Sequence, residues 1–406
     1  MEIRPTTDED FDTFVDTMHG AFALFREAGE GRSGAWWSAF ELDRGLLALA
    51  EDGRPVGTAG AYTLELTLPG PAVVPVSGVT GVGVLPSHRR RGILTELMRR
   101  QLTELRARGE ALAVLLASEA LIYRRYGYGP ATYTQCYTVP RHRAALTPPR
   151  GGAAPADTAG TVELLRREDA VDLLEQVYDR YRRTQPGAVS RPHRWWALGA
   201  GQPPVSSAKP RYIALHRDAD GTPDGYACYA IEDPRSLVVD ETVAATDAAY
   251  TALASYLLNH DLVQEVVFKH FPPGHPLPWQ LADYKAGVPG KHTDWLWARV
   301  LDVPGALTAR GWQTDGELVL DVTDPFLGEH HRHLLAVRDG RAECVRTDRE
   351  PDLSLDISDL GSILLGGTSP GTLARAGHLR AHRPDAAARA DALFRAERDP
   401  HCLHWF

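Results

Sequence analysis

The chain has 406 residues, of which 43% are hydrophobic and 24% are charged, and this composition predicts a globular protein of two or three domains. Its net charge of −9 argues against nucleic-acid binding and favours cationic partners. The four cysteines lie far apart without metal-type spacing, the N-terminus has no hydrophobic signal region, and no apolar run approaches the ~20 residues of a membrane-spanning helix. We therefore expect a cytoplasmic protein with free thiols, no metal and no membrane partner.

The first 145 residues predict an α/β domain. The periodicity of the apolar residues and an Asp-Gly turn between two apolar runs define its elements. In chain order these are a strand at residues 2–5, a helix at Phe11–Phe25 capped by Thr6–Asp8, a β-hairpin of residues 45–50 and 56–68, a strand at Val82–Pro86, a helix from Ile93 to about Arg108, and a strand at Ala111–Ala117. A short helix and a loop follow the last strand. Aromatic residues near the end of the first helix are interpreted as core or pocket wall, namely Phe22, Phe25, Trp36 and Trp37.

A basic cluster lies at a strand-to-helix junction, in the stretch HRRRGILTELMRR. Arg89–Arg91 precede the predicted helix at its N-terminus, where the helix dipole disfavours cations. An anion bound by the backbone N–H groups of this helix end would remove the conflict. Taken alone, these residues leave two interpretations open, a phosphate-binding turn or a solvated basic turn.

Residues 146–161 are rich in Pro, Gly, Ala and Thr and predict a linker into a second α/β domain that ends at residue 294. Its predicted elements are a helix at Arg166–Arg183, a hairpin of Tyr212–His216 and Tyr226–Ile231, and a helix at Ala244–Asn259. The hairpin sequence ALHRDADGTPDGYACYA echoes ALAEDGRPVGTAGAY in the first domain, and this echo predicts a duplicated fold. The second copy has no basic turn followed by glycine, so we expect it to bind no ligand.

Residues 295–406 predict a small α+β domain of alternating, β-rich segments with short helices at Leu373–Leu379 and Ala386–Phe394. The run EHHRH at residues 329–333 contains several potential metal ligands. We place it in a loop between strands and interpret its members as polar surface residues, not as a metal site.

The segment VGVLPSHRRRGIL resembles the phosphate-binding turn of the GNAT superfamily of N-acyltransferases. The GNAT motif is Arg or Gln, two residues, Gly, one residue, then Gly or Ala; Arg89 and Gly92 match it, whereas Leu94 departs from it. A closer resemblance covers the whole chain. Together with this segment, SEALIYRRYGYGPATY, LDVTDPF, DLSLDISDLGSILLGG and the final phenylalanine are similar to the enhanced intracellular survival (Eis) family, which also uses RRRGLL-like turns.

This resemblance implies two GNAT-like domains, at residues 1–145 and 146–294, of which only the first is active. It also implies a C-terminal α+β domain at residues 295–406 that is similar to sterol carrier proteins. The implied cosubstrate is acetyl-CoA. The implied cofactor-binding residues are Val82, Gly83 and Val84 for the pantetheine arm, Arg89, Arg90, Gly92 and Ile93 for the diphosphate, and Ser118.

By the family pattern, Tyr123 is the general acid that protonates the departing thiolate, and the C-terminal carboxylate of Phe406 is the general base. From the residues alone, Tyr126 and Tyr128 stay open as alternative acids.

Members of the family acetylate amines of aminoglycosides and assemble as hexamers. The resemblance thus implies an aminoglycoside N-acetyltransferase linked to antibiotic resistance, acting as a homohexamer on a small-molecule amine. Two alternatives stay open: an acetyltransferase for lysine side chains, peptides or a biosynthetic amine, and a non-catalytic protein that binds acyl-CoA or a lipid.

Overall fold

A computed structural model describes residues 1–24, 40–147, 160–166, 170–193, 195–196, 211–232 and 235–406. The chain forms two compact units. Unit 1 comprises Met1–Thr132, Trp295–Glu397 and Trp405–Phe406, and unit 2 comprises Tyr133–Asp294 and Arg398–His404. Some predictions fall outside the described residues, namely those on Phe25, Trp36 and Trp37, on most of the linker, and on residues 167–169 of the helix predicted from Arg166. The first helix, predicted to end at Phe25, ends at Ala21.

The N-terminal part of unit 1 alternates strands and helices in the predicted order. Its strands are β1 (Glu2–Pro5), β2 (Leu46–Leu49), β3 (Pro55–Leu68), β4 (Ala72–Val84), β5 (Leu112–Leu116) and β6 (Gly129–Pro130), and its helices are α1 (Phe11–Ala21), α2 (Ile93–Ala107) and α3 (Ala120–Tyr123). The strand predicted at Val82–Pro86 is in fact the end of the much longer β4. Leu97, Met98 and Leu102 of α2 are each 0% exposed in a core shared with β3 and β4, and each such side chain contributes ~1.5–3 kcal/mol on burial.

Unit 2 has a seven-stranded sheet of its own. Its strands are β7 (Tyr133–Pro140), β8 (Thr161–Leu165), β9 (Tyr212–Arg217), β10 (Pro223–Glu232), β11 (Ser236–Ala244), β12 (Glu265–Phe271) and β13 (Val288–Asp294), and its described helices are α4 (Val171–Arg182), α5 (Asp247–Leu258) and α6 (Leu277–Gln280). The predicted hairpin is β9–β10, and the helix predicted at Ala244–Asn259 is α5. Within the described residues of the whole chain, no helix is long and apolar enough to cross a membrane.

The sheets of the two units have the same topology, which agrees with the predicted duplication. The chain continues after β13 into β14 (Leu296–Val300). The strand order is β1-β2-β3-β4-β5-β14-β6 in unit 1 and β8-β9-β10-β11-β12-β7-β13 in unit 2. Each sheet has one parallel pair, β4 with β5 and β11 with β12. Strand β14 thus occupies in the first sheet the place that β7 occupies in the second.

This arrangement divides the chain differently from the predicted domain boundaries. The boundary predicted between residues 145 and 146 follows β7, whereas β7 pairs with β12 and β13 of unit 2. The boundary predicted between residues 294 and 295 precedes β14, which pairs with β5 and β6 of unit 1. The cause is non-local strand pairing, which has no signature in the local sequence.

The C-terminal part of unit 1 is the predicted small α+β domain. Its strands are β15 (Gly316–Asp324), β16 (Glu329–Arg338), β17 (Arg341–Arg346), β18 (Leu353–Asp356) and β19 (Leu379–Ala381), and its helices are α7 (Val303–Ala309), α8 (Ile357–Leu364), α9 (Pro370–Arg375) and α10 (Ala386–Phe394). Two predictions were wrong here. The EHHRH run lies at the start of β16 and not in a loop, because it pairs residue by residue with β15. The segments around α7 and α8 are helical although their apolar content suggested strands.

Candidate active site

The divergence of β4 and β5 opens a crevice in the sheet. The two parallel strands pair over only two residues each, Ser77–Gly78 with Ala113–Val114. On its other edge β4 follows β3 through a register shift, and Gly81, at φ +59°, supplies the left-handed conformation that this bulge requires. Beyond the paired residues, the β4 edge over Val82–Val84 faces β5 without a ladder partner in the described strands. Such an edge can hydrogen-bond an extended, amide-containing ligand.

The basic turn after β4 is fastened to the end of α1 by Arg89. The Arg89 guanidinium donates one hydrogen bond from Nε to the carbonyl oxygen of Val84 (3.2 Å) and one from Nη2 to the carbonyl oxygen of Ala21 (2.7 Å). These two bonds use two of its five N–H donors. Arg89 therefore fixes the geometry of the turn in addition to bringing a positive charge to it.

The backbone of the turn is preformed to receive an anion. Arg90 has φ +62° and Gly92 has φ +80°, and the left-handed conformation of a residue with a side chain costs roughly 1 kcal/mol or more. Gly92 is the N-cap of α2, and no side chain of the described residues caps this helix end. The first N–H groups of α2, which no carbonyl of the helix itself can satisfy, are therefore available to a ligand.

These elements enclose an open cavity of about 760 Å³, a volume within the range of small-molecule sites. All the predicted cofactor-binding residues and the predicted acid line it, namely Val82, Gly83, Val84, Arg89, Arg90, Gly92, Ile93, Ser118 and Tyr123. Phe22, interpreted as core or pocket wall, lines it as well. Tyr126, an alternative acid in the sequence interpretation, lines it too. The sequence interpretation missed further lining residues, namely Ala21, Ala23, Pro86, His88, Leu94, Thr95, Glu119, Ile122 and Arg125. Thr95 lies in the first turn of α2, and this position was a signal that could have identified it.

Tyr123 projects from α3, the short helix that follows β5, and is 8% exposed. Its burial and, to a smaller extent, the nearby Tyr126 and Glu119 raise the pKa of the phenol to about 12. At pH 9 a group of this pKa is only about 0.1% ionised, so Tyr123 stays protonated across the neutral range. A protonated phenol that lines the cavity can donate its proton to a leaving group there.

The other two candidate tyrosines differ from Tyr123 in their surroundings. Tyr128 packs edge-on against Tyr123, with ring centroids 6.0 Å apart, but it is 0% exposed and does not line the cavity. Its hydroxyl has no hydrogen-bond partner among the described residues. Tyr126 lines the cavity, and its hydroxyl lies 3.5 Å from Oγ1 of Thr95. Of the two, only Tyr126 is placed to reach a bound ligand.

Phe406 belongs to unit 1 and is 5% exposed. A Cβ built on Gly78 would lie 3.1 Å from Cε2 of the Phe406 ring, so the ring packs against β4 where its pairing with β5 ends. Phe406 is not among the described residues that line the cavity. The structure therefore places its ring at the base of the crevice, roughly 13 Å along β4 from Val82.

The equivalent helix end in unit 2 is closed by its own side chains. Helix α5 follows β11 after only two residues, and its N-cap Thr246 accepts a hydrogen bond from the N–H of Ala249 (3.1 Å). The Thr246 hydroxyl donates to Oδ2 of Asp224 (3.1 Å), which also places a negative charge there. The end of α5 therefore differs from that of α2 in its side-chain cap and its nearby carboxylate, and the expectation that the second copy binds no ligand stays a prediction.

Among the residues that the structure describes, no group of three or more His, Cys, Asp or Glu side chains is placed to hold a metal ion. The His residues of the EHHRH run differ in exposure. His333 is only 3% exposed, because it lies where β16 is paired on both sides, so its interpretation as a surface residue was wrong. His330 is an exposed polar residue, as predicted. His330 Nε2 lies 2.8 Å from Oδ1 of Asp321, and its side chain is 61% exposed.

Comparisons with known proteins agree with this geometry. Residues 2–131 and 187–300 each match a family described as acetyltransferase (GNAT) domain, and residues 303–403 match the sterol carrier protein domain. The chain is 38% identical to an uncharacterized N-acetyltransferase of Streptomyces griseus over 364 residues, 87% of each chain. It is 33% identical to the N-acetyltransferase Eis of Mycobacterium tuberculosis over 391 residues, 93% of each chain.

Two solved structures extend the comparison to the whole fold. The crystal structure of Eis1 from Mycobacterium abscessus is 35% identical in sequence with a TM-score of 0.87, and the match covers 100% of both chains. A GCN5-related N-acetyltransferase from Anabaena variabilis, 20% identical over 100% of both chains with a TM-score of 0.83, shares the fold.

Proposed function

Because the chain belongs to the Eis family of GNAT-type N-acetyltransferases, we propose that it transfers an acetyl group from acetyl-CoA to primary amines of aminoglycosides. The observation that carries this proposal is that three features line one cavity: an unpaired strand edge, an uncapped helix end with basic residues, and a protonated phenol. A non-catalytic acyl-CoA carrier would need the first two features but not the third. The net charge of −9 favours polycationic amines over neutral ones.

The cavity fits acetyl-CoA by its chemistry as well as its size. The N–H groups of Gly92, Ile93 and their neighbours would hold the diphosphate, with positive charge from Arg89 and Arg90. The edge of Val82–Val84 would hold the amide-rich pantetheine arm. When bound, acetyl-CoA supplies a thioester whose carbonyl carbon forms the new bond to nitrogen as the bond to sulfur breaks.

The residues of the chain handle the two protons of this exchange. The O–H of Tyr123 protonates the departing thiolate. The proton lost by the attacking amine goes to the C-terminal carboxylate of Phe406, a class of group whose ordinary pKa is ~3.5. The packing of the Phe406 ring against β4 supports this role, because it brings the last residue to the crevice where the strands separate.

An assay of thiol release with a panel of amines tests the proposal. With acetyl-CoA and purified protein, we expect release with aminoglycosides and little with lysine peptides or small biosynthetic amines. Faster release with peptides or a biosynthetic amine would replace the proposed substrate. No release with any amine, together with acetyl-CoA binding, would instead favour a non-catalytic carrier. The homohexamer implied by the resemblance is part of the proposal, and light scattering of the same preparation tests it.

A further inference from the structure

The turn between β15 and β16 carries an aromatic residue, Phe326, that lies against the N-terminal domain of unit 1 and not within its own. Phe326 is half-buried and packs on the apolar core that includes α2 and the tyrosines of the candidate site. It belongs to the stretch LDVTDPF, to which the proposed chemistry assigns no role. The sterol-carrier-like domain therefore reaches the catalytic domain at this point.

Phe326 packs directly on one wall of the cavity. Its ring meets that of Tyr126 edge-on, with centroids 4.9 Å apart and planes at 70°, a favoured geometry for aromatic pairs. Tyr126 lines the cavity, and its hydroxyl approaches Thr95 in the first turn of α2. Phe326 therefore supports from behind a side chain that faces the ligand.

The same residue also contacts the helix that forms the other wall. The guanidinium of Arg99, on the second turn of α2, lies 4.7 Å over the Phe326 ring, within the range of a cation–π contact. Nη1 of Arg99 also donates to the carbonyl oxygen of Phe326 (3.0 Å). Phe326 thus bridges α2, whose N-terminus receives the diphosphate, and the turn that carries Tyr126.

The position of Phe326 is fixed by its neighbour Asp324. Oδ1 of Asp324 accepts a hydrogen bond from the N–H of Leu327 (3.1 Å), and its other oxygen accepts one from the buried Arg299 of β14. Arg299 lies directly beneath the turn after Tyr126, because a Cβ built on Gly127 would be 2.8 Å from its Cζ. The β15–β16 turn and the Tyr126 turn are therefore held on one buried ion pair.

We propose that Phe326 is a positioning residue for acetyl-CoA, through which the sterol-carrier-like domain sets the spacing between α2 and the Tyr126 wall. The inference rests on the proposed function, because it assumes that acetyl-CoA occupies this cavity. The described contacts of Phe326 are with Tyr126 and with α2, the helix to which the proposed function assigns the diphosphate, so its contribution belongs to cosubstrate binding and not to the chemical step.

The test is the steady-state kinetics of Phe326→Ala, with acetyl-CoA and the amine each varied. Loss of the ring contacts should raise the KM and the Kd for acetyl-CoA about 3- to 10-fold, which matches the strength of one aromatic pair. The kcat at saturating acetyl-CoA should stay within about twofold, and the KM for the amine should not change. Phe326→Tyr, which keeps the ring, should restore the affinity.

Glu329→Gln is the matched control. It weakens the paired hydrogen bonds of Glu329 with Arg106 of α2 (2.6 and 2.8 Å) in the same turn region but away from the cavity, so its KM for acetyl-CoA should equal that of the wild type. Phe326→Leu, which keeps apolar volume without a ring, replaces the alanine variant if that one fails to fold.

Either of two results in a folded variant would overturn the inference. One is an unchanged KM for acetyl-CoA, and the other is a rise in the KM for the amine as large as that for acetyl-CoA. A wild-type protein that binds no acetyl-CoA would overturn the proposed function and this inference together.

Discussion

Replacing Tyr123 by phenylalanine removes the hydroxyl that we propose as the general acid for the departing thiolate. The phenylalanine ring keeps the edge-on contact with Tyr128 (6.0 Å, 77°), so stability should change little. The N–H groups proposed to hold the diphosphate lie at Gly92 and Ile93, not at Tyr123, so acetyl-CoA affinity should stay within about twofold of the wild type.

The expected loss follows from the raised pKa. A phenol of pKa about 12 is a weaker acid than an ordinary thiol of pKa ~8.5. Transfer of its proton to the thiolate is therefore uphill for a phenol of this pKa, so in the transition state Tyr123 contributes mainly a strong hydrogen bond to the developing negative charge before the proton moves. Such a bond is worth ~1.5–3 kcal/mol. We accordingly expect kcat to fall about 100-fold, which is ~2.7 kcal/mol and the lower end of the range for general acids.

Thiol release at saturating acetyl-CoA measures this directly, with the affinity taken from calorimetry. Tyr128→Phe is the control, because its buried hydroxyl has no described partner and lies outside the cavity; its kcat should match the wild type. Tyr126→Phe separates the remaining candidate. Full activity of the Tyr123 variant, or a larger loss with Tyr126→Phe, would refute the assignment.

Three further predictions concern the basic turn before α2, the buried His401 and the C-terminal carboxylate of Phe406. Gly92→Ala and Gly109→Ala place the same left-handed strain at opposite ends of α2 with open space around the new Cβ, so each should lower the free energy of unfolding in urea by ~1 kcal/mol. Only Gly92→Ala should weaken acetyl-CoA binding. Equal affinities of the two variants would argue against a diphosphate site at the N-terminus of α2. Burial lowers the pKa of His401 to about 3, against ~6.5 in the unfolded chain. The stability that its neutral form contributes is therefore complete above pH 6.5 and declines as pH falls towards 3, by about 2 kcal/mol at pH 5. His401→Leu should reduce the fall in the urea midpoint of unfolding between pH 7 and pH 5, whereas the exposed control His142→Leu should not. Adding several residues after Phe406 should abolish thiol release while leaving acetyl-CoA binding intact, and an active extended protein would exclude a terminal carboxylate as the base.

The local elements around the site could be predicted from the sequence because their signals are local. The helical spacing after Gly92 predicted α2 to within a residue. The glycine and arginines of the turn predicted a phosphate-binding turn as one of two interpretations, and this stays a prediction. The length of β4 could not be predicted, because Pro75, Gly78 and Gly81 interrupt it with residues that usually end strands. Two of those residues have a reason in the structure, since Gly81 forms the bulge and Gly78 makes room for the Phe406 ring.

Contacts between distant segments left no comparable signal. The places of β7 and β14 in the two sheets depend on pairing with strands that are distant in the sequence. The local sequence of either strand does not indicate which sheet it joins. The contact of Phe326 with Tyr126 joins residues 200 positions apart, as the difference of their numbers shows. The EHHRH run suggested a loop because polar side chains dominate it, although a strand within an antiparallel ladder can carry polar side chains on its solvated face.

Calorimetric titration of the folded wild-type protein with acetyl-CoA tests whether the diphosphate binds at the N-terminus of α2, because the two halves of the duplicated fold differ in the helix end that would receive it. The open, basic end of α2 and the capped, acidic end of α5 predict one molecule bound per chain. A titration with no binding, or with two molecules bound per chain, would contradict it.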